Sequence, residues 1–214
     1  MNKGFTTYFK ALCICIMALF CTLSEVKAAN AFSFHPGKTE FIKIPLKQAL
    51  NATSVSTNLG GVTTRIYKKY SDAIQLKVSV SPNSKPGQGN IKLVVDNQPV
   101  EVPIYVFGLG NAKLQKKTPG TAGKLQAVEV VMPKVPELTA KSPGQPHCKG
   151  ASGPRSSNLV SGQFPLKYQS GAYRMWVTST KQAMDSKCLI KLIEKSPINR
   201  QVIARDLTIE FSKS

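Results

Sequence analysis

From Ala73 to Val80 apolar and polar residues alternate with period two: Ile74, Leu76, Val78 and Val80 fall to one side, Gln75, Lys77 and Ser79 to the other. Only an extended strand gathers such a pattern onto a single apolar face. Ser81 to Asn90 then packs two prolines and two glycines into ten residues, which forces the chain to turn. Ile91–Val95 resumes as a strand, and Val100, Val102, Ile104 and Val106 line up again after the short polar link Asp96-Asn97-Gln98-Pro99. Two alternating runs joined this closely predict a hairpin. Pro103 removes a ladder donor, so its strand is expected at an edge or bulged there. Phe41–Ile44 and Val62–Tyr67 are shorter strand candidates, with Gly60-Gly61 between them. No segment shows a helical period, and Thr, Val and Ile dominate. The expectation is an all-β chain, with a β-sandwich over residues 29–108.

Residues 109–160 are rich in Pro, Gly, Ser and Lys and read as a connecting segment, to which Lys124–Met132 adds one strand candidate. Residues 161–214 hold three further runs, Tyr173–Val177, Lys187–Ile193 and Val202–Phe211, separated by Ser179–Ser186 and Ser196-Pro197-Ile198-Asn199. They read as a smaller antiparallel β-module, a meander that buries little apolar surface by itself.

Phe34-His35-Pro36-Gly37, Ser81-Pro82, Lys85-Pro86-Gly87 and the closing run Val100–Val106 together resemble bacterial immunoglobulin-like domains of exported proteins. The resemblance covers less than half the chain and implies a sandwich fold without defining an activity. It departs from antibody-type domains, because the single tryptophan, Trp176, lies outside this region.

The first 28 residues have the layout of a secretory signal peptide. Lys3 and Lys10 precede an apolar run from Ala11 to Leu23, and Val26-Lys27-Ala28 offers small residues before a cut at Ala29. The run is shorter than a span needs. The chain is therefore expected to be periplasmic or secreted, with no transmembrane span once processed. Three cysteines, Cys13, Cys15 and Cys21, leave with the signal. Cys148 and Cys188 remain, and an oxidising compartment makes a disulfide between them the expectation. The chain-entropy model credits closing their 39-residue loop with roughly 4 kcal/mol.

Losing three lysines and one glutamate with the signal takes the formal charge from +18 to +16. The excess is spread along the chain, whereas a dedicated nucleic-acid binder concentrates it in one stripe. Uniform basicity suits work against an anionic field.

No catalytic constellation is found. With His35 and His147 the only histidines, serine chemistry lacks a base and no zinc spacing forms. His147-Cys148 carries the residue types of a reactive thiol, but neighbours on an extended chain point apart. Pro119–Lys124 is two positions short of a P-loop, and Leu125 stands where Ser or Thr is required. Asp96 and Glu101 flank a turn as solvated charges. No catalytic residue, metal site or cofactor is assigned. The compact basic and aromatic cluster is Arg65, Lys68 and Lys69 with Tyr67 and Tyr70, and strict alternation puts Arg65, Tyr67 and Lys69 on one strand face as candidate partner contacts.

The expectation is thus a non-catalytic exported β-protein, an interaction or assembly module at the bacterial envelope. Its partner would be another envelope protein or an anionic surface polymer, not a specific nucleic acid. Two alternatives stand beside it: a periplasmic chaperone for pilus subunits, similar in size, basicity and two-domain β architecture, and a hydrolase of unknown class.

Overall fold

The computed structural model describes residues 30–115, 120–121, 126–141, 148–151, 160–161, 163–164, 166–179 and 187–212. The proposed signal segment and His147 lie outside them.

Seven strands build the first sandwich: β1 (Phe32–Phe34), β2 (Thr39–Pro45), β3 (Ala52–Thr57), β4 (Val62–Lys69), β5 (Ala73–Val80), β6 (Gly87–Val95) and β7 (Gln98–Val106). One sheet runs β1-β7-β6-β3 and the other β2-β5-β4, with β1 parallel to β7 and every other pair antiparallel. Setting the second, fifth and fourth strands against the seventh, sixth and third is the immunoglobulin-like order. The apolar sides meet in one core that includes Ile42, Ile74, Leu76, Val78, Ile91, Leu93, Val102 and Ile104.

Local chemistry explains the β6–β7 hairpin. Asp96 and Asn97 both take positive φ, 48° and 62°, and Val95 pairs with Gln98, so the link is a two-residue turn. Asp and Asn tolerate that conformation, and its twist matches the strands. Because β1 pairs only with Ile104–Val106, Pro99 and Pro103 fall on the part of β7 that β1 leaves uncovered.

The second half corrects the sequence reading. Strands β8 (Lys113–Gln115), β9 (Gly120–Thr121), β10 (Gln126–Val131), β11 (Leu138–Lys141), β12 (Cys148–Ala151) and β13 (Val160–Ser161) lie where a connecting segment was expected. They are followed by β14 (Gln163–Phe164), β15 (Lys167–Gln169), β16 (Ala172–Ser179), β17 (Lys187–Lys195) and β18 (Val202–Ser212). One sheet runs β13-β12-β16-β10-β8 with β15 also on β16, and the other β14-β11-β17-β18-β9. The last three long strands are therefore no meander, since β16 pairs with β10 while β17 and β18 pair in the opposite sheet. The order repeats that of the first sandwich, down to the short parallel strand β9 beside β18. Val128, Val130, Met175, Val177, Ile190, Leu192, Leu207 and Ile209 form its core. The residues between 109 and 160 were misread because these strands are short, broken by proline and glycine, and partnered far away in sequence.

Cys148 opens β12 in one sheet and Cys188 lies in β17 of the other, so the proposed disulfide would tie sheet to sheet. Thiol titration of protein starting at Ala29, denatured without reductant, is expected to find no free thiol. Two free thiols would reject the bond.

The sandwiches meet at Gly108. The carboxylate of Glu194, near the end of β17, is fully buried and accepts hydrogen bonds from the Tyr105 hydroxyl (2.8 Å), Gly108 N–H (3.1 Å to each oxygen) and Leu109 N–H (2.7 Å). These amides open the 3-10 turn Leu109–Asn111, where the first donors have no partner within the turn. Burial first, then the bond to Glu194, pushes the Tyr105 hydroxyl well above the ordinary tyrosine range, so it stays a donor. Around this anchor the Ser33 hydroxyl lies 2.8 Å from Ser196 Oγ and 2.9 Å from Asn199 Oδ1. Asn199 Nδ2 donates to Ala31 O, and the Arg205 guanidinium to Ala112 O. A Cβ at Gly108 would stand 2.8 Å from Val135 Cγ1 and 3.1 Å from the Pro86 ring, so only glycine lets the three segments close.

Candidate functional site

The outer face of the three-stranded sheet is built by the polar half of the alternation. Register places three rungs across it: Thr39–Ser79–Thr63, then Phe41–Lys77–Arg65, then Lys43–Gln75–Lys68. Successive rungs lie about 6.8 Å apart along the strands and neighbouring strands about 4.8 Å apart. Every inward counterpart on β5 (Ile74, Leu76, Val78) is fully buried.

Tyr67 is the extra residue of a β-bulge: Ile66 pairs with Leu76 and Lys68 with Gln75, two residues of β4 spanning one step of β5. The bulge changes the candidate set. Arg65 and Tyr67 are exposed, but Lys69 pairs with inward-facing Ile74 and its ammonium donates to Leu50 O (3.3 Å). Lys68 takes the place that strict alternation assigns to Lys69. A bulge follows from tertiary pairing and leaves no mark in the sequence of β4.

Phe41 and Tyr67, 51% and 57% exposed, meet edge to face with ring centroids 4.7 Å apart. The next rung closes on Tyr70: the Lys43 and Lys68 ammoniums lie 4.7 and 5.1 Å from its ring centre. Its hydroxyl reaches Gln75 Oε1 at 3.4 Å. Between the first two rungs lies an open depression of about 350 Å³ lined by Thr63, Thr64, Arg65, Lys77 and Ser79.

The electrostatics of this face are unbalanced. Arg65 and Lys77 stand directly opposite each other, a like-charge pairing that destabilises a sheet by a few tenths of a kcal/mol up to about 1 kcal/mol. Among the described residues, the ion pairs are Arg174–Glu129, Lys191–Asp206 and Lys195–Glu137, all in the second sandwich. No carboxylate there neutralises Lys43, Arg65, Lys68 or Lys77. The sequence reading missed Phe41, Lys43 and Lys77. Their outward parity was legible, but their proximity depended on knowing that β2 and β4 flank β5.

Trp176 is half-buried on β16 in register with Ala127 and Ala151, away from this face. Among the described residues no three His, Cys, Asp or Glu side chains gather as metal ligands, and no helix is long and apolar enough to cross a membrane.

No family model matches the chain, and no curated protein sequence is similar to it. Solved structures similar to it include the titin Ig tandem domains A164-A165 (13% identity, 88% of this chain and 96% of that chain, TM-score 0.33). DIP-gamma IG1+IG2 aligns at 9% identity over 86% and 95% with TM-score 0.31. Domains 4–9 of the surface layer protein SbsC align at 12% identity over 87% and 30% with TM-score 0.30. Superpositions this loose carry no weight in assigning a role, and the immunoglobulin-like assignment rests on strand order.

Proposed function

We propose that this protein is a non-catalytic interaction module, exported to the bacterial envelope, that holds an anionic partner on the outer face of its first sandwich. One observation carries the reading: Arg65 and Lys77 face each other across strands with no neutralising carboxylate among the described residues. Lys43 and Lys68 extend the charge along the sheet. Folding gains nothing from that repulsion, whereas a bound anion relieves it. The positive excess of the whole chain, +18, would speed encounter with an anionic surface, and the face would set residence.

A periplasmic chaperone for pilus subunits is the second reading, supported by the two-sandwich architecture. Lending a strand requires an open edge. Pro99 and Pro103 remove two donors from the uncovered part of β7, and the bulge at Tyr67 interrupts β4.

The test compares two double variants of equal charge loss in binding to a soluble polyanion at physiological salt. Arg65→Gln with Lys77→Gln is expected to weaken binding about tenfold or more, the effect of losing two charge-assisted contacts. Lys167→Gln with Arg200→Gln, at exposed sites in the second sandwich, is expected to change it by less than about threefold. Equal losses would mean that net charge alone acts and would reject the face.

A further inference from the structure

We propose that the partner of this face is an acidic polysaccharide, a linear chain of pyranose rings carrying carboxylate or sulfate groups, laid flat across the three rungs. This rests on the reading above and names its ligand. The three rungs offer three kinds of contact that such a polymer matches. Thr39, Ser79 and Thr63 supply hydroxyls at one end, with Thr39 Oγ1 and Ser79 Oγ 2.9 Å apart, suited to exchanging hydrogen bonds with sugar hydroxyls. Phe41 and Tyr67 supply exposed apolar ring surface for the C–H faces of a sugar. Arg65 and Lys77, then Lys43 and Lys68, supply cations on successive rungs, matching an anion that recurs along a chain.

The same geometry disfavours other polyanions. Successive nucleobases stack in series on aligned ring faces, whereas Phe41 and Tyr67 cross at 64° and Tyr70 already carries two ammoniums. A peptide strand would add to a sheet edge rather than lie across this face, and of the two edges the bulge breaks β4. A bilayer rewards aromatic side chains that insert as a wedge, whereas Phe41 and Tyr67 lie about half covered, among hydroxyls.

The experiment is a calorimetric titration of the purified protein with a polyuronate, neutral dextran, poly-glutamate, a single-stranded oligothymidylate and vesicles rich in anionic phospholipid, at one salt concentration. The polyuronate is expected to bind at least about tenfold tighter than poly-glutamate at equal charge concentration, and dextran not measurably. The paired change Phe41→Ala and Tyr67→Ala is expected to remove most of that advantage while leaving poly-glutamate binding within about twofold. Both residues are exposed, so an unchanged melting temperature serves as the folding control. Equal affinity for polyuronate and poly-glutamate, or tighter binding of the oligonucleotide or the vesicles, overturns the polysaccharide and leaves the anionic face standing. Failure to bind any polyanion overturns both.

Discussion

Glu194→Ala is expected to cost about 3–5 kcal/mol, because it leaves three buried donors without their shared acceptor. The loss is large because the change deletes an acceptor rather than a contact. Gly108 N–H, Leu109 N–H and the Tyr105 hydroxyl keep their burial and lose their partner, and each unsatisfied buried donor costs about 1–3 kcal/mol. Glu194→Gln keeps the shape but turns one acceptor into a donor, so it should fall between the wild type and alanine. Denaturant unfolding followed by tyrosine and tryptophan fluorescence measures both. Trp176 reports the second sandwich, and Tyr67, Tyr70 and Tyr105 report the first sandwich and the joint. A Glu194→Ala protein within about 1 kcal/mol of wild type would show that the joint does not hold the sandwiches together.

The second large effect is expected at Leu76→Ala. Leu76 is fully buried on the central strand β5, between Ile42 of β2 and Ile66 of β4, and truncation there costs about 2–5 kcal/mol through lost transfer energy and the cavity left behind. The informative readout is the shape of the transition. With Glu194 in place the two sandwiches share a buried joint, so the Trp176 signal should melt together with that of the first sandwich, at a lower temperature than wild type. Combined with Glu194→Ala, the signals should separate, the first sandwich unfolding earlier. Separate transitions in Leu76→Ala alone would reject coupling through the joint.

Legibility in the sequence followed the range of the interactions. Period-two alternation made β5, β6 and β7 readable, and Asp96-Asn97 announced their hairpin, because both signals are written in neighbouring residues. β1 was missed: three residues carry no periodicity, and its partner Ile104–Val106 lies some seventy positions on. Between 113 and 151 only β10 was anticipated, within Lys124–Met132; the shorter strands were missed for the same reason, since β11 and β12 are defined by pairing with β17 and β16.

The candidate face divides along that line. Arg65, Tyr67, Lys68 and Tyr70 are close in sequence, so a basic aromatic cluster could be read directly. Phe41, Lys43 and Lys77 joined them only when β2 and β4 closed on β5, and the bulge at Tyr67 exchanged Lys69 for Lys68. Glu194 was wholly invisible, one carboxylate among eleven acidic residues. What sequence alone determined was the strand-forming pattern and the charge, because alternation, turn chemistry and composition act within a few residues. The pairing of distant edges, the register shift and the burial of Glu194 under the Gly108 amides belong to the tertiary structure, since each depends on which surfaces meet.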